Sequence, residues 1–196
     1  VSENIGANWV DISNALKLDK RIGKHAYLKP GLGISGGNLE RDLETFKNFL
    51  KFKKIYVNYS QNIKQISNYR KDWIYNKFEK IVKDFKNIKK IGILGLAYKE
   101  NTNSIKNSPS IAFIKKILSN KKLEIEAYDP KIKKLSKNIN INICKSVGSL
   151  IRNCDILVIA TPWKIFKNIN LNKFKNIKVV IDPYNLLILH KNKNKK

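Results

Sequence analysis

The chain has no methionine, two cysteines, five prolines and four arginines in 196 residues. Each scarcity excludes something. Cys144 and Cys154 are too few for a disulfide scaffold and form no CxxC pair, so a reducing cytoplasm is expected, with both thiols as inert small apolar groups. No apolar run reaches the roughly 18 residues that a membrane-spanning helix needs, and no signal peptide is expected. Acidic residues are also few: 40 Lys+Arg stand against 15 Asp+Glu, a formal net charge of +25. Such an excess raises nucleic-acid binding, but all the bases except Arg21, Arg41, Arg70 and Arg152 are lysine, scattered among Asn and Ile. Arginine, the residue suited to bidentate base and phosphate contacts, is nearly missing, so no specific nucleic-acid partner is expected. A hydrophobic content of 42% is enough for a core. The length suits one domain, or one domain and part of another. Starting at Val1 inside an apolar-polar pattern, the chain is expected to be the C-terminal portion of a longer protein.

What is present falls into two halves. Residues 1 to about 19 have helical spacing, and Lys20 to Gly37 concentrates Gly23, Pro30, Gly31, Gly33, Gly36 and Gly37 in an irregular loop. From Asn38, apolar residues recur every three or four positions as far as Phe85. No Pro or Gly intervenes before Ile91, which predicts one very long helix or two abutting ones. The pattern then changes. Strands are expected at 91–98, 123–128, 155–160 and 178–181, and helices from Ser108-Pro109 and over 146–153. This alternation predicts an α/β fold with a parallel sheet, so the expected division is a helical segment 1–88, an α/β domain 89–190 and a basic tail 191–196.

Two loops carry the candidate chemistry. Lys29–Asp42 (KPGLGISGGNLERD) reads either as a cradle, in which glycines and a helix start near Asn38 face a phosphate or sugar, or as a hinge between helices. Asn38 and Asp42 share a helix face, and Asp42 is either an acid/base group or a surface carboxylate. Gly95–Ser110 (GLAYKENTNSIKNSPS) follows a strand and precedes a helix, the place where open α/β sheets bind ligands. Lys99 and Lys106 are either phosphate contacts or surface lysines. Thr161-Pro162-Trp163 is either a cleft wall or packing. No GxGxxG is present, His25 lacks an acidic or metal-ligand partner nearby, and no metal is expected.

In order along the chain, DKRIG (19–23), KPGLG (29–33), GGNLERD (36–42), GILGLAYKENTNSIKNSPS (92–110), AYDP (127–130), CDILVIATPW (154–163) and VVIDPYN (179–185) resemble the motifs of the nucleotide-sugar dehydrogenase family, UDP-glucose and GDP-mannose 6-dehydrogenases and their relatives. The resemblance implies a long-helix dimerisation segment followed by a Rossmann-like parallel-sheet domain binding a UDP- or GDP-sugar, in a homodimer or higher homo-oligomer. It implies NAD as cofactor, bound mainly by a domain upstream, and oxidation of the sugar C6 alcohol toward the uronate. Asn38 takes the place of the family's nucleophilic cysteine and Asp42 that of its water-activating aspartate. Arg21, Tyr27, Leu28, Lys29, Gly33 and Lys99 fall on substrate-contacting positions, and Lys106 on one that approaches the cofactor. Arg41 replaces a lysine, Asn103 and Ser104 replace acids, and Tyr184 replaces an arginine. An amide at 38 cannot act as a thiolate. The chain alone is therefore expected to be inactive, and the alternative is a non-catalytic dimer-forming or regulatory homologue.

Overall fold

The computed structural model describes residues 2–85, 87–120, 123–171 and 174–187; the expected basic tail, 191–196, lies outside the described residues. The chain divides into two compact units, 1–31 and 32–196. The first holds a short 3₁₀ turn, Ser2–Ile5, and one helix, α1 (Trp9–Leu18). Asn8 caps α1, its side chain accepting from the Val10 N–H, and the Trp9 indole N–H reaches the Leu28 carbonyl at 2.8 Å. That bond folds the irregular stretch back onto its helix.

The second unit begins with three helices, α2 (Asn38–Phe52), α3 (Tyr59–Lys71) and α4 (Trp73–Asp84), where the spacing predicted one or two. The break after α2 is a Schellman termination: the Ile55 N–H bonds the Leu50 carbonyl at 2.9 Å and the Lys54 N–H the Lys51 carbonyl at 3.1 Å. Lys54 holds the left-handed position at φ 57°, a place usually taken by glycine. The lack of Gly and Pro therefore concealed a real helix end. Between α3 and α4 the chain only bends, at Asp72, whose carboxylate pairs with Lys116 at 2.6 Å.

The strands β1 (Lys90–Leu94), β2 (Glu124–Tyr128), β3 (Asn142–Ile143), β4 (Ile156–Ile159) and β5 (Val179–Ile181) form a sheet of order β3-β2-β1-β4-β5, parallel at every pairing. Both central strands are apolar and buried over almost their whole length, as befits strands covered on both faces. Helices α5 (Pro109–Asn120) and α6 (Val147–Ile151) lie on the crossovers from β1 to β2 and from β3 to β4. Phe78 of α4 meets Phe113 of α5 edge-on at 5.7 Å, joining the helical layer to the sheet's core. Strand order reverses at β1, where connections leave to opposite sides, so the loop after β1 opens at the sheet's topological switch point.

Candidate functional site

The glycine-rich loop before α2 is held from two sides. At Gly33 the backbone has φ +82°, and a Cβ there would lie 2.4 Å from the Ser67 carbonyl oxygen and 2.9 Å from its hydroxyl. Only glycine lets the loop approach α3 this closely. The Ser67 hydroxyl then accepts the Ile34 N–H at 2.8 Å. On the other side lies the loop after β1. The Gly36 N–H donates to the Lys106 carbonyl at 3.0 Å, and the Ser35 hydroxyl to the Tyr98 carbonyl at 3.3 Å. The Asn107 side-chain amide donates to the Gly36 carbonyl at 2.9 Å and also to the Glu40 carboxylate. The two loops singled out in the sequence thus form one structure.

Lys106 runs across Gly37, where a Cβ would come within 2.7 Å of its ammonium nitrogen. Gly37 is the N-cap of α2 and makes no side-chain cap bond. The ammonium therefore lies at the helix's positive end, beside Asn38, the first helical residue. Asn38 and Asp42 are both exposed, one turn apart. The Asp42 carboxylate bonds the Arg41 guanidinium at 3.2 Å in a pair open to water, an interaction of about 0–1 kcal/mol that a ligand can displace. Lys99 is exposed, its ammonium 5.6 Å from the centre of the Tyr98 ring, and that ring packs on Gly36. Chemically, the arrangement offers cations to an anion, an uncharged amide for hydrogen bonding and a carboxylate able to accept a proton.

The loop after β1 is clamped by buried side chains from other parts of the chain. Asp129, fully buried at the end of β2, accepts the Leu96 N–H at 2.7 Å and the Ala97 N–H at 3.0 Å on one oxygen. The other accepts Lys131 and Ile132 N–H at 2.7 and 3.0 Å. The Trp163 indole adds a fifth bond at 3.2 Å, so Thr161-Pro162-Trp163 is packing with a polar tie. The matching carbonyls are also taken: Ser108 and Ser110 hydroxyls donate to Leu96, and the Thr161 hydroxyl donates to Ala97 at 2.6 Å. The only local hint of this hub was Asp-Pro after an apolar strand. Ser67 and Asn107 gave none.

The first unit carries the other candidates. Arg21 is exposed and held by Asp19 through Nε at 3.1 Å and a terminal nitrogen at 2.7 Å, which keeps the Asp19 carboxyl below its ordinary value. Tyr27 and Lys29 are exposed, and Leu28 is half-buried under the Trp9 bond. His25 is exposed. Among the described residues no His, Cys, Asp or Glu group could hold a metal ion. Nor does either cysteine offer a thiolate: burial pushes Cys154 up to about 12, and burial followed by the Glu126 charge raises Cys144.

Residues 1–69 match the central domain of the UDP-glucose/GDP-mannose dehydrogenase family, and residues 92–188 its UDP binding domain. The UDP-glucose 6-dehydrogenase of Rickettsia prowazekii is 31% identical over 192 residues, covering 94% of this chain and 44% of that protein. The chain thus spans less than half the length of such curated relatives. Among solved structures, a UDP-glucose dehydrogenase from the archaeon Pyrobaculum islandicum superposes with a TM-score of 0.75 at 20% identity, over 92% of this chain and 44% of its own. A UDP-D-ManNAc dehydrogenase from Pyrococcus horikoshii does so with 0.74 at 24%, over 96% and 43%. Two consecutive domain matches, the same fold and the joined loops lead to one assignment: the chain belongs to the UDP-glucose/GDP-mannose dehydrogenase family.

Proposed function

We propose that this chain is the nucleotide-sugar-holding part of an NAD-dependent dehydrogenase that oxidises the C6 alcohol of a UDP- or GDP-sugar. In this reading residues 1–88 are the C-terminal part of the helical dimerisation domain, 89–190 bind the nucleotide sugar, and 191–196 form a basic tail. The observation that carries it is the docking of the loop that leads into α2, the helix carrying Asn38 and Asp42, onto the loop holding Lys99 and Lys106. Lys99 meets the diphosphate oxygens. Asn38 hydrogen-bonds the sugar without forming a covalent bond, and Asp42 accepts a proton from a hydroxyl or a water. In the second unit Gly33 is a proposed substrate contact; in the first, taken by itself, the resemblance proposes Tyr27, Leu28 and Lys29 as substrate contacts and Arg21 as one that exchanges Asp19 for the ligand of a neighbouring subunit. An exposed apolar face on α2 and α3, with Phe46, Phe49, Ile66 and Tyr69, supports a homodimer or higher homo-oligomer. No helix among the described residues is long and apolar enough to cross a membrane, and the proposed compartment is the cytoplasm.

NAD supplies hydride acceptance in this chemistry. The turn after β1 does not offer a cradle for its pyrophosphate, because the amides of Leu96 and Ala97 are both spent on Asp129. Lys106 is left as this chain's proposed contact with the cofactor. The chain alone is accordingly proposed to bind a nucleotide sugar weakly and to oxidise nothing.

Calorimetric titration of the chain with UDP-glucose, UDP-glucuronate and GDP-mannose, with UDP and GDP as controls, tests the reading. Saturable binding that prefers one sugar nucleotide and weakens in Lys99→Ala is expected. Heats that vanish at physiological salt would reduce the site to surface charge. Asn38 favours a second reading, a non-catalytic dimer-forming or regulatory homologue; NADH formation by a longer protein containing this chain would exclude it.

A further inference from the structure

We infer that Asn107 is a positioning residue that sets the start of α2, and with it Asn38 and Asp42, in register with the loop carrying Lys99 and Lys106. The inference rests on the proposed nucleotide-sugar site, since those are the residues it aligns. Its basis is a single side-chain amide serving two acceptors. The nitrogen of Asn107 donates to the Gly36 carbonyl at 2.9 Å and to the Glu40 carboxylate, while the neighbouring Lys106 carbonyl accepts the Gly36 N–H at 3.0 Å. Gly36 is thereby bonded in both directions to residues 106 and 107, as if in a one-residue strand pairing, and the far end of the brace lands on Glu40, midway between Asn38 and Asp42.

Both groups facing the Asn107 nitrogen are acceptors, so only a donor fits there. Asn107 also sits at φ +52°, a left-handed conformation that Asn and Asp tolerate better than other residues carrying a Cβ. An aspartate at this position would therefore keep the backbone while opposing a carboxylate and a carbonyl with a second carboxylate. Glu40 lies in the first turn of α2, where the helix favours its charge. Reversing the pair, with the donor on residue 40 and the acceptor on 107, should restore the bond that aligns the helix start. A purely space-filling side chain would show no such reciprocity.

The test uses the intact chain with two readouts: the affinity for UDP-glucose by calorimetry, and the exchange protection of the Gly36 amide by NMR without ligand. Asn107→Asp is expected to lower both by about tenfold, the factor that one hydrogen bond to a charged group carries. Glu40→Gln combined with Asn107→Asp restores the bond to residue 40 but not the one to the Gly36 carbonyl, and is expected to recover part of that loss. Unchanged Gly36 protection in Asn107→Asp, or a double variant as impaired as the single one, would overturn the inference. If Asn107→Asp does not fold, Asn107→Gly removes the donor without adding charge or left-handed strain and must lose the same protection. Should the native chain not bind UDP-glucose, the nucleotide-sugar reading fails, and Gly36 protection alone decides whether Asn107 sets the register.

Discussion

Asp129→Asn tests the clamp beneath the candidate site most directly. The carboxylate is fully buried and accepts five hydrogen bonds, three on the oxygen facing Leu96, Ala97 and Trp163 and two on the oxygen facing Lys131 and Ile132. An amide replaces one acceptor oxygen by a donor. Its least costly orientation turns the nitrogen toward Lys131 and Ile132, so two N–H groups lose their acceptor and face another donor. At about 1.5–3 kcal/mol per hydrogen bond to a charged group, the gross loss is about 3–6 kcal/mol. Removing a buried charge returns part of this, leaving a net destabilisation of about 2–5 kcal/mol. Against the 5–15 kcal/mol that typically holds a domain together, this is a large fraction without being total. Urea unfolding followed by far-ultraviolet circular dichroism measures it, and the thermal midpoint should fall by roughly 10 °C. A variant within about 0.5 kcal/mol of the native chain would refute the reasoning, because it would mean that the five bonds contribute no more than water would.

Lys54→Gly relieves the left-handed strain at the end of α2, and chemical denaturation should show a gain of about 1 kcal/mol. Cys154, its thiol pushed up to about 12 by burial, should resist aromatic disulfide reagents at pH 8 in the native chain and react only on unfolding; Cys144, also raised, should label more slowly than a free thiol. Burial raises the Asp155 carboxyl, but the Lys89 and Lys90 amides and the Lys178 ammonium outweigh it, and the group ends below its ordinary 3.8. Because the folded value is depressed, the stability it supplies is complete above pH 3.8 and is lost as pH falls through the lower folded value. Asp155→Asn should accordingly flatten the acid limb of a stability-pH curve while lowering stability near neutrality by about 1 kcal/mol.

The sheet was legible because β1 and β4, covered on both faces, read as apolar runs, while β2 and β5 are each followed by Asp-Pro. The break between α2 and α3 was not. A helix end is usually announced by glycine, and here the left-handed position holds Lys54, whose helix propensity points the other way. At the site, glycine density marked the loop before α2, yet the partners that use those glycines lie far along the chain. Gly33 admits Ser67, Gly37 admits Lys106, and the Leu96 and Ala97 amides end on Asp129. Such pairings are tertiary. A serine in a polar helix and an asparagine among many asparagines carry no periodic signal.

On the proposed reading, the loops that set residue 38 and the side chain at that residue suit covalent chemistry to different degrees. The glycine loop is locked on Ser67, the two loops are bonded to one another, and the turn after β1 has its amides and carbonyls paired on buried side chains. At the helix start that all of this aligns stands Asn38, whose nitrogen lone pair is delocalised and cannot attack a carbon. Neither thiol of the chain compensates, since Cys154 lies against Gly92 under α6 and Cys144 beside Glu126, and both are held in the protonated form. What survives at residue 38 is the electrostatic setting: a helix N-terminus, with the Lys106 ammonium beside it, next to an amide that can hydrogen-bond. That setting favours a bound anion over a covalent intermediate. On the proposed nucleotide-sugar reading, the geometry therefore suits holding a charged sugar derivative better than an acyl-transfer step, and Asp42 is proposed to act only where a proton must move.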